Sequence, residues 1–174
     1  MSTLYVDNLQ PNLGSRVMAA GHVVQVVQSD FGGIVYLANP SNPTSVGHTL
    51  TITPTSSSSK VLIQYHFHWG QYKSVASNQD NMKYWTIYRG STNIAPYNSR
   101  FFAHQNEVSG SIDFNEKTQQ SSISFLDTPN TTSAITYDLR TWSDNSSQVS
   151  ISYNQRGNQD NRGTCTATAM EIAQ

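Results

Sequence analysis

Residues 49–69 read TLTITPTSSSSKVLIQYHFHW, and this stretch decides the fold class. Its first part alternates strictly between threonine and an aliphatic residue, so Leu50 and Ile52 share one face, as in a half-buried strand. Pro54 and the serines at 56–59 then break the pattern and predict a turn. Residues 61–69 follow as the longest strand candidate of the chain.

The same rhythm of short apolar segments and turns continues in both directions. Residues 30–33 and the proline-containing residues 39–43 are predicted turns. No window has the 3.6-residue apolar period over three turns that a surface helix needs. Further strand candidates lie at residues 23–27, 34–37, 84–88, 123–125, 135–139, 149–153 and 164–172, with weaker ones at 100–104 and 112–114. Roughly nine or ten short strands predict an all-β antiparallel sandwich or jelly roll.

The last predicted strand has small residues on one side. Cys165, Ala167 and Ala169 alternate with threonines and Met170, which suits close packing against another sheet or another subunit. Cys165 is the single cysteine, so no disulfide can form within the chain, and its setting predicts a small buried residue.

The composition excludes several partners. Charged residues are 12% of the 174 residues and the formal net charge is −1, so the clustered Lys and Arg that nucleic acids or anionic membranes require are missing. No stretch is apolar for long enough to predict membrane insertion. Ser, Thr, Asn and Gln together number 69, so the predicted surface is polar through hydroxyls and amides.

The first twenty-one residues differ in texture and predict an extended arm on a head domain of residues 22–174. Leu4, Val6 and Leu9 are the apolar residues by which this arm would attach to another protein, although a frayed terminus is the alternative. The start of the chain lacks the basic and apolar regions of a signal peptide, so we expect synthesis in a cytoplasm.

His66 and His68 form the most suggestive chemical motif. Alternate residues of a strand share a face, so the two imidazoles should point the same way and could bind one metal ion. The alternative is a polar strand face with solvated or hydrogen-bonded histidines. The sequence itself requires no cofactor.

Aromatic residues in or beside loops are the predicted ligand-binding residues. They are Tyr72, Tyr97, Phe101 and Phe102. Rings near Asn, Gln and Asp suit saccharides, and loops on β scaffolds often carry recognition. The alternative is that these rings cover the end of the core or an interface between subunits.

Enzymatic motifs are missing from the sequence. No Gly-x-Ser-x-Gly elbow occurs, and no carboxylate pair is selected by its spacing. We therefore expect a protein that is not an enzyme. The tetrapeptide NQDN occurs at 78–81 and 158–161 without the ligand order of a calcium loop, and we interpret it as coincidence.

Three blocks of sequence resemble tail-fibre-like virion proteins of bacteriophages, especially those of cyanobacteria and other marine hosts. The first is STLYVDNLQ at 2–10 with GHVVQVV at 21–27. The second is LTITPTSSSSKVLI at 50–63, and the third is FLDTPNTTSAITY at 125–137 with the ending TAMEI at 168–172. The blocks span nearly the whole chain, and residues 72–120 resemble nothing specific.

This resemblance implies a homotrimeric jelly-roll head of the tumour-necrosis-factor-like type, carried by the N-terminal arm. The expected function is a virion tail-fibre or receptor-binding head that adheres to a host surface glycan or receptor. A capsid decoration or tail accessory trimer without a host ligand is the first alternative. A soluble carbohydrate-binding module is the more distant one.

Overall fold

A computed structural model describes residues 19–38, 40–73, 81–96, 100–106, 118–144, 149–154 and 163–174. For residues 71–73, 81, 102–106, 118, 149 and 150 it describes the backbone only. The strands are β1 (Val23–Phe31), β2 (Val35–Leu37), β3 (Thr44–Ile52), β4 (Lys60–Lys73), β5 (Asn81–Arg89), β6 (Thr92–Asn93), β7 (Phe102–Asn106), β8 (Thr118–Asp127), β9 (Ile135–Ser143), β10 (Val149–Tyr153) and β11 (Cys165–Ile172).

Two antiparallel sheets form a sandwich, so the predicted all-β, jelly-roll-like class is confirmed. Sheet A is organised around β4, which pairs with β8 on one side and with β11 and then β10 on the other. β1 and β2 extend it beyond β11 and β10. Sheet B runs β3–β9–β5, with β6 and β7 both pairing with β5. Within the described residues, no helix is long and apolar enough to span a membrane.

The core lies between the sheets and is rich in aromatic rings. Tyr65, Phe67 and Trp69 of β4 all point inward and are at most 1% exposed, as the alternation predicts. Phe67 packs on Trp85 of β5 with ring centroids 4.6 Å apart. Cys165, Ala167 and Ala169 supply the small buried face of β11. Of the two predicted partners for that face, another sheet or another subunit, the structure shows the other sheet.

The predicted turn at 30–33 is wrong in its first half, while residues 32–34 do connect β1 to β2. Residues 30 and 31 continue β1, because Asp30 pairs with Thr166 and Phe31 pairs with Cys165. The Phe31 ring also stacks on His48 with centroids 5.5 Å apart. Pairing with β11 and stacking on His48 therefore keep Asp30 and Phe31 in a strand, although the following Gly32 and Gly33 favour a turn.

The junction between the predicted arm and the head lies beside the last strand. The Gly21 N–H donates to the Ala173 carbonyl at 2.8 Å, and the Ala173 N–H donates to the His22 carbonyl at 2.9 Å. Gly21 has φ +86°, a backbone conformation that glycine adopts without strain. Residues 1–18, including Leu4, Val6 and Leu9, lie outside the described part.

Candidate functional site

The outer face of sheet A, called the sheet A face below, carries an apolar row across four strands. The row consists of Val26, Met170, Leu62 and Leu126 from β1, β11, β4 and β8. Val26 is 57% exposed and Leu126 is 45% exposed, while Val23 beside the row is 51% exposed. In the described part of the chain, every large apolar side chain this exposed belongs to a strand of sheet A.

The rest of the sheet A face is polar but almost uncharged. The next row across the four strands consists of Gln28, Thr168, Gln64 and Ser124. The two flanking rows each add one charged residue: Lys60 lies beside Ile172 at one end, and Asp30 lies beside Thr166 at the other, with opposite signs. The face therefore has apolar and hydroxyl or amide character with little net charge.

His66 and His68 also lie on the sheet A face, and the predicted shared orientation is what the strand register gives. His66 is exposed between Thr166 and Ser122 of the adjacent strands. His68 is half-buried against Gly163, where a Cβ would approach its ring to 3.1 Å. Among the described residues, no three His, Cys, Asp or Glu side chains group together as metal ligands would. Metal binding stays a prediction.

The predicted aromatic residues are spread over different parts of the fold. Phe101 is half-buried, and its ring meets Phe125 edge-on with centroids 5.0 Å apart. Its backbone N–H donates to the Trp85 carbonyl at 2.9 Å, so Phe101 lies where a ring covers the core margin. Only the backbone is described for Phe102, which pairs with Trp85, and for Tyr72, which pairs with Ser150. Tyr97 and the strand candidate 112–114 lie outside the described residues.

A second surface, which the sequence did not predict, is the outer face of sheet B, here named the sheet B face. It carries the half-buried Tyr84 and Tyr88 from β5 and the half-buried Arg140 and Trp142 from β9, while Thr86 and Asp138 of the same strands are buried beneath them. The register places Tyr84 opposite Trp142, and their ring centroids are 5.1 Å apart. The Arg100 guanidinium lies over the Tyr84 ring, 4.6 Å from its centroid. Aromatic rings thus face outward as well as into the core.

The polar groups of the sheet B face form a compact network. The Arg140 Nε donates to Asp138 Oδ2 at 2.7 Å, and the Ser45 hydroxyl donates to Asp138 Oδ1 at 2.6 Å. The Arg140 guanidinium also lies 4.0 Å from the centroid of the Tyr88 ring. Asp138 is buried while Arg140 remains half-exposed, so the network fixes the direction in which the guanidinium points.

A sequence signal for this surface was available. The predicted strands 84–88 and 135–139 correspond to β5 and to the first part of β9, and continuing their alternation to residue 142 places Tyr84, Tyr88 and Trp142 opposite to their buried neighbours. Aromatic residues on the outer side of two strands are a stronger pointer than rings in loops, because the strands fix their spacing. What the sequence does not show is that β5 and β9 are neighbours.

A buried carboxylate closes one end of the sandwich. Glu171 is fully buried, and its Oε1 accepts both the N–H and the hydroxyl of Thr55 at 2.8 Å. Its Oε2 accepts from Gln25 Nε2 at 2.6 Å. Burial raises the pKa of Glu171, but the hydrogen bonds from Gln25, Ser59 and Thr55 outweigh it and leave the pKa below its ordinary value.

A second buried cluster joins the two sheets at their edge. Arg89 of β5 contacts both oxygens of Asp127 of β8 at 2.9 and 2.8 Å. The Tyr137 hydroxyl of β9 donates to Asp127 Oδ2 at 2.8 Å. This cluster ties the Leu-Asp-Thr-Pro turn to sheet B, which gives that sequence block a structural role.

A third cluster surrounds His48 in the core. Its Nδ1 bonds to the Tyr153 hydroxyl at 2.6 Å, and its Nε2 faces the Ser29 carbonyl at 3.2 Å. A carbonyl only accepts, so Nε2 carries the proton and Nδ1 accepts from Tyr153. Burial lowers the pKa of His48 and raises that of the neighbouring Cys165 thiol. The neutral thiol at Cys165 is a weak nucleophile, so this cluster is built for packing.

Comparison with known proteins finds matches among solved structures only. No protein-family model matches the sequence, and no curated protein is significantly similar to it. The chain is similar to a structure of infectious bursal disease virus Gt strain, with a TM-score of 0.38 and 11% identity, over 98% of this chain and 43% of that one. It is also similar to the VP2 subviral particle of that virus, with a TM-score of 0.33 and 12% identity, over 87% of this chain and 38% of that one.

A third match is a mutant VP2 protein of the same virus in T=1 particles. Its TM-score is 0.37 at 11% identity, over 98% of this chain and 41% of that one. The chain therefore spans less than half the length of these particle proteins. At these TM-scores the matches assign neither a family nor a function to it.

Proposed function

We propose that the chain is a virion structural protein whose copies associate as a homotrimer through the sheet A face. The observation that carries the proposal is the exposure of Val23, Val26 and Leu126 together on that face, at 51%, 57% and 45%. Contiguous exposed apolar patches on soluble proteins mark interaction surfaces. Fully burying a valine or leucine side chain gains about 1.5–3 kcal/mol, so a partner on this face gains about half of that for each residue.

The charge of the sheet A face supports another copy of the chain as the partner. A nucleic acid or an anionic membrane needs clustered Lys and Arg, whereas the rows here carry only Lys60 and Asp30 as charged residues. The remaining hydroxyls and amides can pair with one another, so in a ring of three copies one part of the face can contact a different part of the same face on the next copy. A symmetric assembly of identical chains satisfies this requirement.

The number of copies and the place on a virion come from the sequence blocks that resemble phage fibre heads. Residues 50–63 form the end of β3, the following turn and the start of β4, while residues 125–137 join β8 to β9. Both blocks therefore lie at structural joints of the sandwich, as expected for motifs that maintain a fold. They support a trimeric head of the same type.

The proposed role is a tail-fibre or receptor-binding head that adheres to the host. Residues 1–21 would attach the head to other virion proteins through Leu4, Val6 and Leu9. Three copies of a weak binding site on one trimer, and several trimers on one particle, multiply the apparent affinity. The protein would be made in the host cytoplasm and function in the virion, and the proposal includes no catalytic step.

The test is the native mass in solution, measured by light scattering. We expect three times 19.3 kDa for the intact chain. Val26→Asp combined with Leu126→Asp should give a folded monomer, because it places charge in the apolar row of every copy. Thr51→Asp, an equivalent change at an exposed site on β3, should leave the trimer intact. A monomeric intact chain, or a trimer that the double variant does not weaken, contradicts the proposal.

Deletion of residues 1–21 tests the attachment role separately. The shortened head should remain trimeric and folded but should not be incorporated into particles. A shortened chain that still assembles onto particles would show that the arm is not the attachment segment.

A further inference from the structure

We propose that the sheet B face is a binding site for a neutral saccharide. The proposal rests on the proposed function for its biological setting, because a trimer built on the sheet A face leaves the opposite face of the sandwich accessible. The contacts that favour a saccharide all lie within the sheet B face.

The first step is the pair of outward-facing rings. Tyr84 and Trp142 are half-buried with an angle of 37° between their planes, and Arg100 covers one face of the Tyr84 ring, so the Trp142 indole and the remaining phenol surface form a tilted platform. Rings on an outer sheet face do not contribute to packing between the two sheets, where Trp85 and Trp69 already lie. The apolar C–H face of a sugar ring fits such a platform, as large rigid rings supply contact area at low entropic cost.

The second step is the set of hydrogen-bonding groups beside the rings. Arg140 uses its Nε for Asp138 and lies over the Tyr88 ring, and within the described part of the chain its terminal NH₂ groups make no hydrogen bond to protein. The same holds there for the hydroxyl of Tyr88 and the indole N–H of Trp142. These groups are spread along the adjacent strands β5 and β9, where Tyr88 and Trp142 lie four register positions apart, about 13 Å, so they suit an oligosaccharide of several rings.

The third step is the charge balance. Arg100 and Arg140 bring two positive charges, while Asp138 and Asp144 bring two negative charges. Asp144 accepts the Met82 N–H at 2.9 Å, so it is held at the same end of the face as Tyr84. A balanced surface neither attracts nor repels an ionic polymer. This favours a neutral saccharide over an acidic polysaccharide, a nucleic acid or a charged peptide.

The fourth step is the contrast with the sheet A face. The exposed large aliphatic side chains that suit a protein interface lie on sheet A in the described residues. The sheet B face instead offers rings bordered by fixed polar groups, the usual composition of a small-ligand site. The two faces of the sandwich therefore have different partners.

The experiment applies the intact protein to an array of immobilised neutral and acidic oligosaccharides and measures the Kd for the best ligand. Trp142→Ala should weaken binding about ten-fold, which is about 1.4 kcal/mol, because it removes the larger ring of the platform. Arg140→Lys keeps the charge but loses the planar fork, and it should weaken binding without removing the aromatic platform. Thr51→Ala, on the same sheet outside the site, should leave the Kd within about two-fold.

Native mass and circular dichroism on every variant separate this proposal from the trimer proposal. If the protein is a trimer that binds none of the sugars, the saccharide site is wrong and the trimer proposal is unaffected. The same holds if a trimer binds a sugar equally well after both Trp142→Ala and Arg140→Lys. Preference for acidic sugars overturns the neutral class. A monomer whose sugar binding is lost in both variants supports the site while contradicting the trimer.

Discussion

Replacing Glu171 by glutamine tests whether one buried carboxylate closes the end of the sandwich. The carboxylate accepts from Thr55 twice and from Gln25 once, all at 2.8 Å or less, and also bonds to Ser59. Glutamine has nearly the same shape but no charge, and its NH₂ group cannot accept. The variant therefore changes chemistry without opening a cavity.

The magnitude follows from these bonds. A hydrogen bond to a charged group contributes about 1.5–3 kcal/mol and a neutral one about 0.5–1.5, so each retained bond weakens by about 1 kcal/mol. The bond from Gln25 is lost, because two NH₂ groups would face each other unless one amide turns. We expect Glu171→Gln to lower the free energy of unfolding by about 2–4 kcal/mol.

The assay is urea unfolding at pH 7 and fixed protein concentration, followed by tryptophan fluorescence. With a slope of about 2 kcal/mol per molar, the urea midpoint should fall by about 1–2 M. Asp30→Asn is the control, because Asp30 is an exposed carboxylate with one bond from Gln28, and it should change stability by at most about 0.5 kcal/mol. A decrease in the free energy of unfolding of less than about 1 kcal/mol in Glu171→Gln would show that the hydrogen bonds to the carboxylate do not stabilise this end of the sandwich.

The pH dependence gives an independent check. The pKa of Glu171 is lower in the folded chain than its ordinary 4.5, so its stabilisation is present above 4.5 and is lost as the pH falls through the folded value. Glutamine does not titrate. The difference in stability between the two proteins should therefore shrink as the pH falls below 4.5, and a difference that stays constant would contradict the assignment.

Three further predictions concern the other clusters. Because burial lowers the pKa of His48, the folded state resists its protonation, so stability should decrease as the pH falls below 6.5, and His48→Gln should flatten that slope in urea unfolding. Arg89→Met leaves the buried Asp127 without its cation and should lower the free energy of unfolding by about 2–4 kcal/mol. In a double-mutant cycle, Arg89→Met should lower it by less when Asp127 is already replaced by Asn. His66→Ala should barely change the melting temperature; a large shift on adding a chelator to the intact protein, missing in the variant, would instead establish a metal at His66 and His68.

Several features of the fold are readable from local sequence because alternation is a local property. Leu50 and Ile52 point into the core, Tyr65 to Trp69 alternate as predicted, and the small face of β11 is buried. The turn between β3 and β4 also lies where Pro54 and the serines at 56–59 predict it. Each of these depends only on residues within a few positions, together with the period of two that any strand imposes.

The candidate sites show the limit of the same reasoning. Choosing rings in loops overlooked Tyr84 and Trp142, because an outward ring in one strand gains meaning only when a second strand places another ring beside it. Phe101, chosen as a loop residue, meets Phe125 at the core margin. Loop position alone does not distinguish a ring that binds a ligand from one that packs.

Local sequence predicts most of the strands and the inward-facing residues of β4, β11 and the end of β3, together with the low content of charged residues. Only the tertiary structure decided which strands are neighbours, and thereby that Asp30 and Phe31 continue β1, that Glu171 is buried, and that the two outer faces differ. The physical reason is separation along the chain: Gln25 and Glu171 are 146 residues apart, and His48 and Tyr153 are 105 apart. Such partners stabilise conformations that no local pattern encodes.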